Sequence, residues 1–313
     1  MRCFLGIFFF TLFSCLGQSI NQKKMEEEII AYQSKMYDKI EKFDTRPLYI
    51  LQVNKNNCRV LVSCNDIPHW TTFYENIGES QAVYLNNYIP KSGSQIVTIQ
   101  IYPKEGQEYI ADNADVDIKL KFAKDIDDGV DVYKNLAHVE LPEDIGSKKA
   151  PYFELKIPFT ANVPWDFGKD LETAQDLSKV PNIEEKIVAK YNQLRDLLVN
   201  GDGLSFLKEI EYSDLKSCSY LYATKEELLV EDKRENMDVE QANLNYTNRI
   251  IEEIENYEVV FGYNNKLILL RSKKNKESRI RVEYDAPNGK GRDGVSKPIT
   301  LYIPSGSNEL KVW

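Results

Sequence analysis

Only two histidines stand in the chain, His69 and His138. His69 lies in Asn65-Asp66-Ile67-Pro68-His69-Trp70, at a turn or the start of a strand, and His138 lies inside the strand-like run Leu136-Ala137-His138-Val139. A triad needs a nucleophile, an imidazole and an orienting carboxylate. Asp66 is close to His69 in sequence, but there is no Gly-x-Ser-x-Gly elbow or other nucleophile frame. Both histidines are therefore expected to be structural. A second possibility is calcium, for which Asp112, Asp115, Asp117, Asp125, Asp127, Asp128 and Asp131 supply carboxylates. The Asp125–Gly129 run places its glycine one step early for an EF-hand loop, and Leu136 stands where the bidentate glutamate belongs. These residues read as charged turns.

Other chemistries are weaker still. Glu26-Glu27-Glu28 and Glu184-Glu185 are solvated helix surfaces, whereas a general acid with a raised pKa needs burial. Neither Gly289-Lys290-Gly291 nor Gly201-Asp202-Gly203 is a phosphate loop, the first lacking both the Ser/Thr after its lysine and a strand–loop–helix setting. Cys58, Cys64 and Cys218 are expected as free thiols, because Cys58 and Cys64 on one extended strand would be about 20 Å apart. The basic cluster Lys273, Lys274, Lys276, Arg279 and Arg281 is expected to balance Glu226, Glu227, Glu231, Asp232 and Glu235 within the same domain. No catalytic residue, metal or cofactor is assigned.

The elements around these residues fall into blocks. Arg2 and the apolar run Phe4–Phe13 have the anatomy of a secretory signal peptide, too short to span a bilayer at roughly twenty residues per crossing. Two processing routes remain open. Leu12-Phe13-Ser14-Cys15 resembles a bacterial lipobox, which implies residues 1–14 as leader and diacylation of Cys15. Cleavage after Gly17 would instead leave a soluble periplasmic or secreted chain. The net charge of −9 repels phosphate backbones and disfavours nucleic acid as a partner.

Residues 20–45 read as an amphipathic helix, with Met25, Ile29, Tyr32, Met36, Ile40 and Phe43 on one stripe, expected to pack on the domain that follows. From 46 to 159 the period changes to two. Seven or so short strands separated by turn residues argue for an antiparallel, immunoglobulin-like β-sandwich, with Leu48–Val53 and Cys58–Val62 as its first hairpin. Residues 160–181 read as a linker that packs down through Trp165 and Phe167. A helix-plus-antiparallel-sheet domain fills 182–313. Its helices are expected at Ile183–Leu198 with an Asn182/Glu185 capping box, at Leu204–Ile210 and Ser213–Tyr222, after a Thr224/Glu227 cap, and at Asn248–Glu255. Its strands are expected at Tyr257–Tyr263, Lys266–Ser272, Ser278–Asp285 and Lys297–Ile303, with a short edge at Glu309–Trp313. The fold class is α+β.

The phrase Glu185–Phe206, EKIVAKYNQLRDLLVNGDGLSF, followed by short helices and a meander, resembles the NTF2-like cone fold. That resemblance implies a curved sheet wrapped on a long helix, with a pocket at its wide end. The phrases LYILQVNKNNCRVLVSCNDIP, YIPKSGSQIVTIQIYP and LYIPSGSNELKVW are similar to those of uncharacterised two-domain envelope proteins of Bacteroidetes-type bacteria. The expectation from all of this is an exported, periplasmic, non-enzymatic lipoprotein that binds a protein or envelope ligand. Alternatives are a small-molecule or hydrolytic pocket in the cone, and an immunity protein that neutralises a secreted toxin.

Overall fold

The computed structural model describes residues 10–231, 238–241, 248–286 and 290–313, with side chains from 23 to 229 and in the later stretches. It is an α+β architecture in which every strand pairing is antiparallel. Among the described residues no helix is long and apolar enough to cross a membrane.

Helix α1 spans Phe10–Met36 and ends in a 3-10 turn at Tyr37–Lys39. The helix ends well before residue 45, and its stripe from Met25 to Ile40 packs away from the domain that follows, whereas Phe43, beyond the helix, packs against the β-half core. Ile29, Met36, Tyr37 and Ile40 are buried among residues of the C-terminal half, including Phe206, Leu207 and Ile210. A stripe specifies that a face is buried, not which surface covers it.

The β half is built from β1 (Leu48–Asn56), β2 (Arg59–Cys64), β3 (Ile67–Pro68), β4 (Glu79–Tyr84), β5 (Lys91–Tyr102), β6 (Asp115–Ala123), β7 (Lys134–Glu140) and β8 (Phe153–Asp166). They form two four-stranded sheets, ordered β4-β1-β6-β7 and β3-β2-β5-β8. Alternate residues of both sheets, among them Leu51, Val53, Val60, Ile99, Ile118 and Leu120, meet in one apolar cluster. The expected β1–β2 hairpin is not formed, because β1 and β2 belong to different sheets. Lys55 lies near the end of β1, beside the crossing. Its buried ammonium donates to the carbonyls of Glu75 at 2.6 Å and Ile77 at 2.7 Å and pairs with the Glu75 carboxylate, tying the turn to the segment before β4. Strand β8 continues past Phe159, burying Ala161, Val163 and Trp165, so the first part of the 160–181 passage is strand.

The C-terminal half holds α2 (Gly168–Thr173), α3 (Ile183–Val199), α4 (Gly203–Tyr220) and α5 (Lys225–Glu231). Strands β9 (Ile250–Ile251), β10 (Tyr257–Gly262), β11 (Leu267–Ser272), β12 (Ile280–Asp285), β13 (Arg292–Lys297), β14 (Leu301–Tyr302) and β15 (Lys311–Val312) follow. They make a sheet ordered β10-β11-β14-β15 and a second one ordered β13-β12-β9. The Thr224/Glu227 cap is present, with the Thr224 amide donating to Glu227 at 3.0 Å.

Four sequence expectations are corrected. Asn182 adopts a left-handed conformation and makes no side-chain cap. The two short helices after Gly203 are the single helix α4, since Glu211 and Tyr212 are sound helix formers with no breaker between them. The helix expected at Asn248–Glu255 is absent, and Ile250–Ile251 pairs with β12 instead. The strand Lys297–Ile303 is divided at Pro298, which has no amide to donate to a ladder. Lys297 ends β13, and Leu301 begins β14 in the other sheet. The acidic residues Asp232 and Glu235 lie outside the described residues, as does the side chain of Cys15.

Candidate functional site

The β2–β3 turn brings a short aromatic segment to the C-terminal half. Asn65 and Asp66 both have positive φ, as a tight two-residue hairpin requires. The Asn65 amide anchors that turn by donating to the Tyr88 carbonyl and to Gln95, both at 2.8 Å. Gly262, at the end of β10, abuts the turn so closely that a Cβ there would lie 2.7 Å from the Asp66 carbonyl oxygen.

Beyond this hairpin, Pro68, His69, Trp70 and Thr71 form one wall of a cleft of about 310 Å³. The opposite wall comes from the end of β11, the 272–278 turn and the Pro298–Thr300 segment. Thr72 bridges the two walls by donating to the Asn275 carbonyl at 3.4 Å. Trp70 is 62% exposed at this cleft, beside the His69 ring at 5.7 Å between centroids.

His69 itself is buried, 4.7 Å from the Tyr88 ring. The Thr71 amide donates to Nδ1 at 3.0 Å, so the proton sits on Nε2, which faces the Tyr84 carbonyl at 3.3 Å. Burial lowers its pKa to about 4 against the two backbone hydrogen bonds that raise it. A neutral imidazole with both nitrogens engaged has no lone pair free to act as a base.

The cations of the far wall are each balanced. Glu258 accepts from Arg271 and from Lys276, the latter at 2.8 Å. Arg281 lies 3.2 Å from Glu283 and 3.9 Å from Glu277, and Arg279 lies 2.9 Å from Glu252. Within the cluster, Lys276, Arg279 and Arg281 pair inside their own domain through Glu252, Glu258, Glu277 and Glu283, and the side chains of Glu231, Asp232 and Glu235 lie outside the described residues. Glu277 and Glu283 flank Arg281 in sequence, whereas Glu258 reaches Arg271 from the adjacent strand β10. The resulting wall is polar and its charges are paired, with an indole at the edge of the cleft. Such a surface suits an uncharged polar ligand better than a phosphate.

The remaining candidates disperse. Asp125 and Asp127 both pair with Arg46, and Asp128 accepts from the Asp125 amide at 3.0 Å, which makes a charged turn. Asp202 caps α4 by accepting from the Ser205 amide at 3.0 Å. Cys58, Cys64 and Cys218 are in no disulfide, and burial pushes the Cys58 thiol up to about 11. His138 faces Asp117 across the β6–β7 ladder, a pairing that no linear spacing announced. Comparison with protein-family models, with curated proteins and with solved structures finds no match.

Proposed function

We propose that this protein is an exported, non-enzymatic binding protein of the cell envelope. It is held at the membrane through a lipid on Cys15, with its protein or envelope ligand received in the cleft between the β half and the C-terminal half. The observation that carries this reading is Trp70, a large aromatic side chain left in water at the mouth of a charge-balanced cleft. Exposed tryptophans are common binding anchors because they offer much contact area for little conformational entropy. The fold readings are part of the proposal. The two β sheets are taken as an immunoglobulin-like sandwich, supported by their common core, and α3 with the β10–β15 strands as an NTF2-like cone.

The interior of that cone speaks against the enzymatic alternative. Tyr191, on α3, is fully buried, and its hydroxyl donates to the Ile299 carbonyl at 2.5 Å while accepting from the Leu270 amide at 3.0 Å. Phe206, Leu194 and Leu301 are equally buried around it.

The test is capture from envelope extract with the wild-type chain and with Trp70→Ala, alongside labelled palmitate. The expected result is a captured component that Trp70→Ala retains at least about tenfold less well, and label that disappears in Cys15→Ala. Equal capture by Trp70→Ala removes the cleft as the site, and an unlabelled wild type removes the anchor.

A further inference from the structure

Away from the cleft, the outer face of the β4-β1-β6-β7 sheet assembles a second set of groups. Asp117 on β6 is the register partner of Glu140 on β7, and His138 precedes Glu140 by two residues. The period of two puts all three side chains on one face. That face is opposite the core, since Val116 and Ile118 on either side of Asp117 point inward. The His138 Nε2 lies 2.5 Å from Asp117 Oδ1 and 3.4 Å from Glu140 Oε1, and one ligand atom from each residue lies within 4.8 Å of the others.

We propose that Asp117, His138 and Glu140 bind a divalent transition-metal ion, with zinc the ion whose preferences they match. Zinc bonds to imidazole nitrogen and carboxylate oxygen at about 2.0–2.2 Å, which sets tetrahedral ligand atoms roughly 3.4 Å apart. The His138–Glu140 pair already has that separation. The His138–Asp117 pair opens to it by a small rotation of a ring that is 46% exposed at its side chain. Asp117 is also pre-oriented. Its Oδ2 accepts from Asn54 at 3.0 Å and from Lys119 at 3.1 Å, which turns Oδ1 toward the imidazole. Outer partners of this kind fix the ligand's rotamer before the ion arrives.

Two carboxylates offset a 2+ charge, with the Lys119 ammonium 3.1 Å from Asp117 as a competing cation, and three protein ligands leave the fourth tetrahedral position to solvent or a partner's side chain. The imidazole disfavours calcium and magnesium, which take oxygen ligands. The site uses none of the cleft residues, so it stands or falls separately from the proposed function.

The test is a zinc titration of the full chain near pH 7, read both as unfolding temperature and as metal retained after gel filtration. One equivalent is expected to bind and to raise the unfolding temperature, because only the folded chain presents the three ligands together. His138→Ala and Glu140→Gln are each expected to weaken binding at least about tenfold. Glu154→Gln, on the other sheet, is expected to leave binding unchanged. His138→Ala should unfold at the wild-type temperature in chelator, which separates loss of the site from loss of the fold. Cobalt should report the same site through a visible absorption band that His138→Ala abolishes. Absence of zinc binding, zinc binding unaltered in His138→Ala, or a preference for calcium over zinc overturns the proposal.

Discussion

Asn86 ties the two halves together at their joint. It is fully buried, accepts from the Tyr49 amide at 3.0 Å, and donates to the carbonyls of Pro47 at 3.0 Å and Tyr220 at 2.9 Å. One side chain thereby joins β1, the 3-10 turn before Ile89 and the end of α4. Asn86→Ala removes the side-chain partner of two buried backbone groups, the Tyr49 amide and the Tyr220 carbonyl, while the Pro47 carbonyl keeps the Tyr222 hydroxyl at 2.8 Å, and is expected to cost about 2–4 kcal/mol in urea unfolding. Asn86→Asp should be similarly poor, since a carboxylate cannot donate to the two carbonyls. His69 makes a pH-dependent contribution. Its folded pKa of about 4 lies below its ordinary 6.5, so the unfolded chain takes up the proton first. The contribution is complete above 6.5 and is lost as pH falls toward 4. The stability gap between wild type and His69→Gln should narrow over that interval, and a constant gap would contradict the assignment. The role of Asn86 was not legible in sequence. Asn86 sits in an unremarkable Leu-Asn-Asn-Tyr run, and the partners of a buried amide come from segments far apart in the chain.

At the scale of elements, the alternating strands of the β half were readable because one face of each is core. Which strand pairs with which was not, as the absent β1–β2 hairpin shows. A turn cluster signals that the chain reverses, and it does so equally well when the chain changes sheets. Strand β13 escaped notice because Arg292-Asp293-Gly294-Val295-Ser296-Lys297 is polar and contains glycine, features depleted in strands. Its pairing with β12 supplies the order that its composition does not. Two element contacts give further predictions. Gly262→Ala pushes a methyl group into the Asp66 carbonyl, and the β2–β3 turn must move. The expected signature is a shift in Trp70 fluorescence together with lower stability. Glu240 packs against α1, fully buried, with Gln33 as its neighbour at 3.5 Å and one carboxylate oxygen without a partner among the described residues. Burial, reinforced by Asp238 and Asp214, raises its pKa above the usual carboxylate range against the opposing charge of Lys297. The folded state prefers the protonated acid, so its contribution is greatest at low pH and falls as pH rises past 4.5. Glu240→Gln should stabilise the protein at pH 8 and make little difference at pH 4.

For the molecule as a whole, the division into blocks along the sequence is not the division in space. Helix α1 precedes the β half in the chain yet shares its core with α3 and α4. Tyr32 donates to Glu211, Lys39 pairs with the same carboxylate at 2.6 Å, and the Glu41 amide donates to Ser219 at 2.9 Å. The helical half is therefore assembled from both sides of an inserted β half. Amide exchange should show residues 26–36 protected to the same degree as α4, with both released together by denaturant. Protection of α1 that tracks β1 instead would refute that grouping. The arrangement makes the first helix a clasp. A protease that nicks an exposed loop among the β strands would sever the covalent path between beginning and end, yet the fragments would stay together until the clasp itself melts.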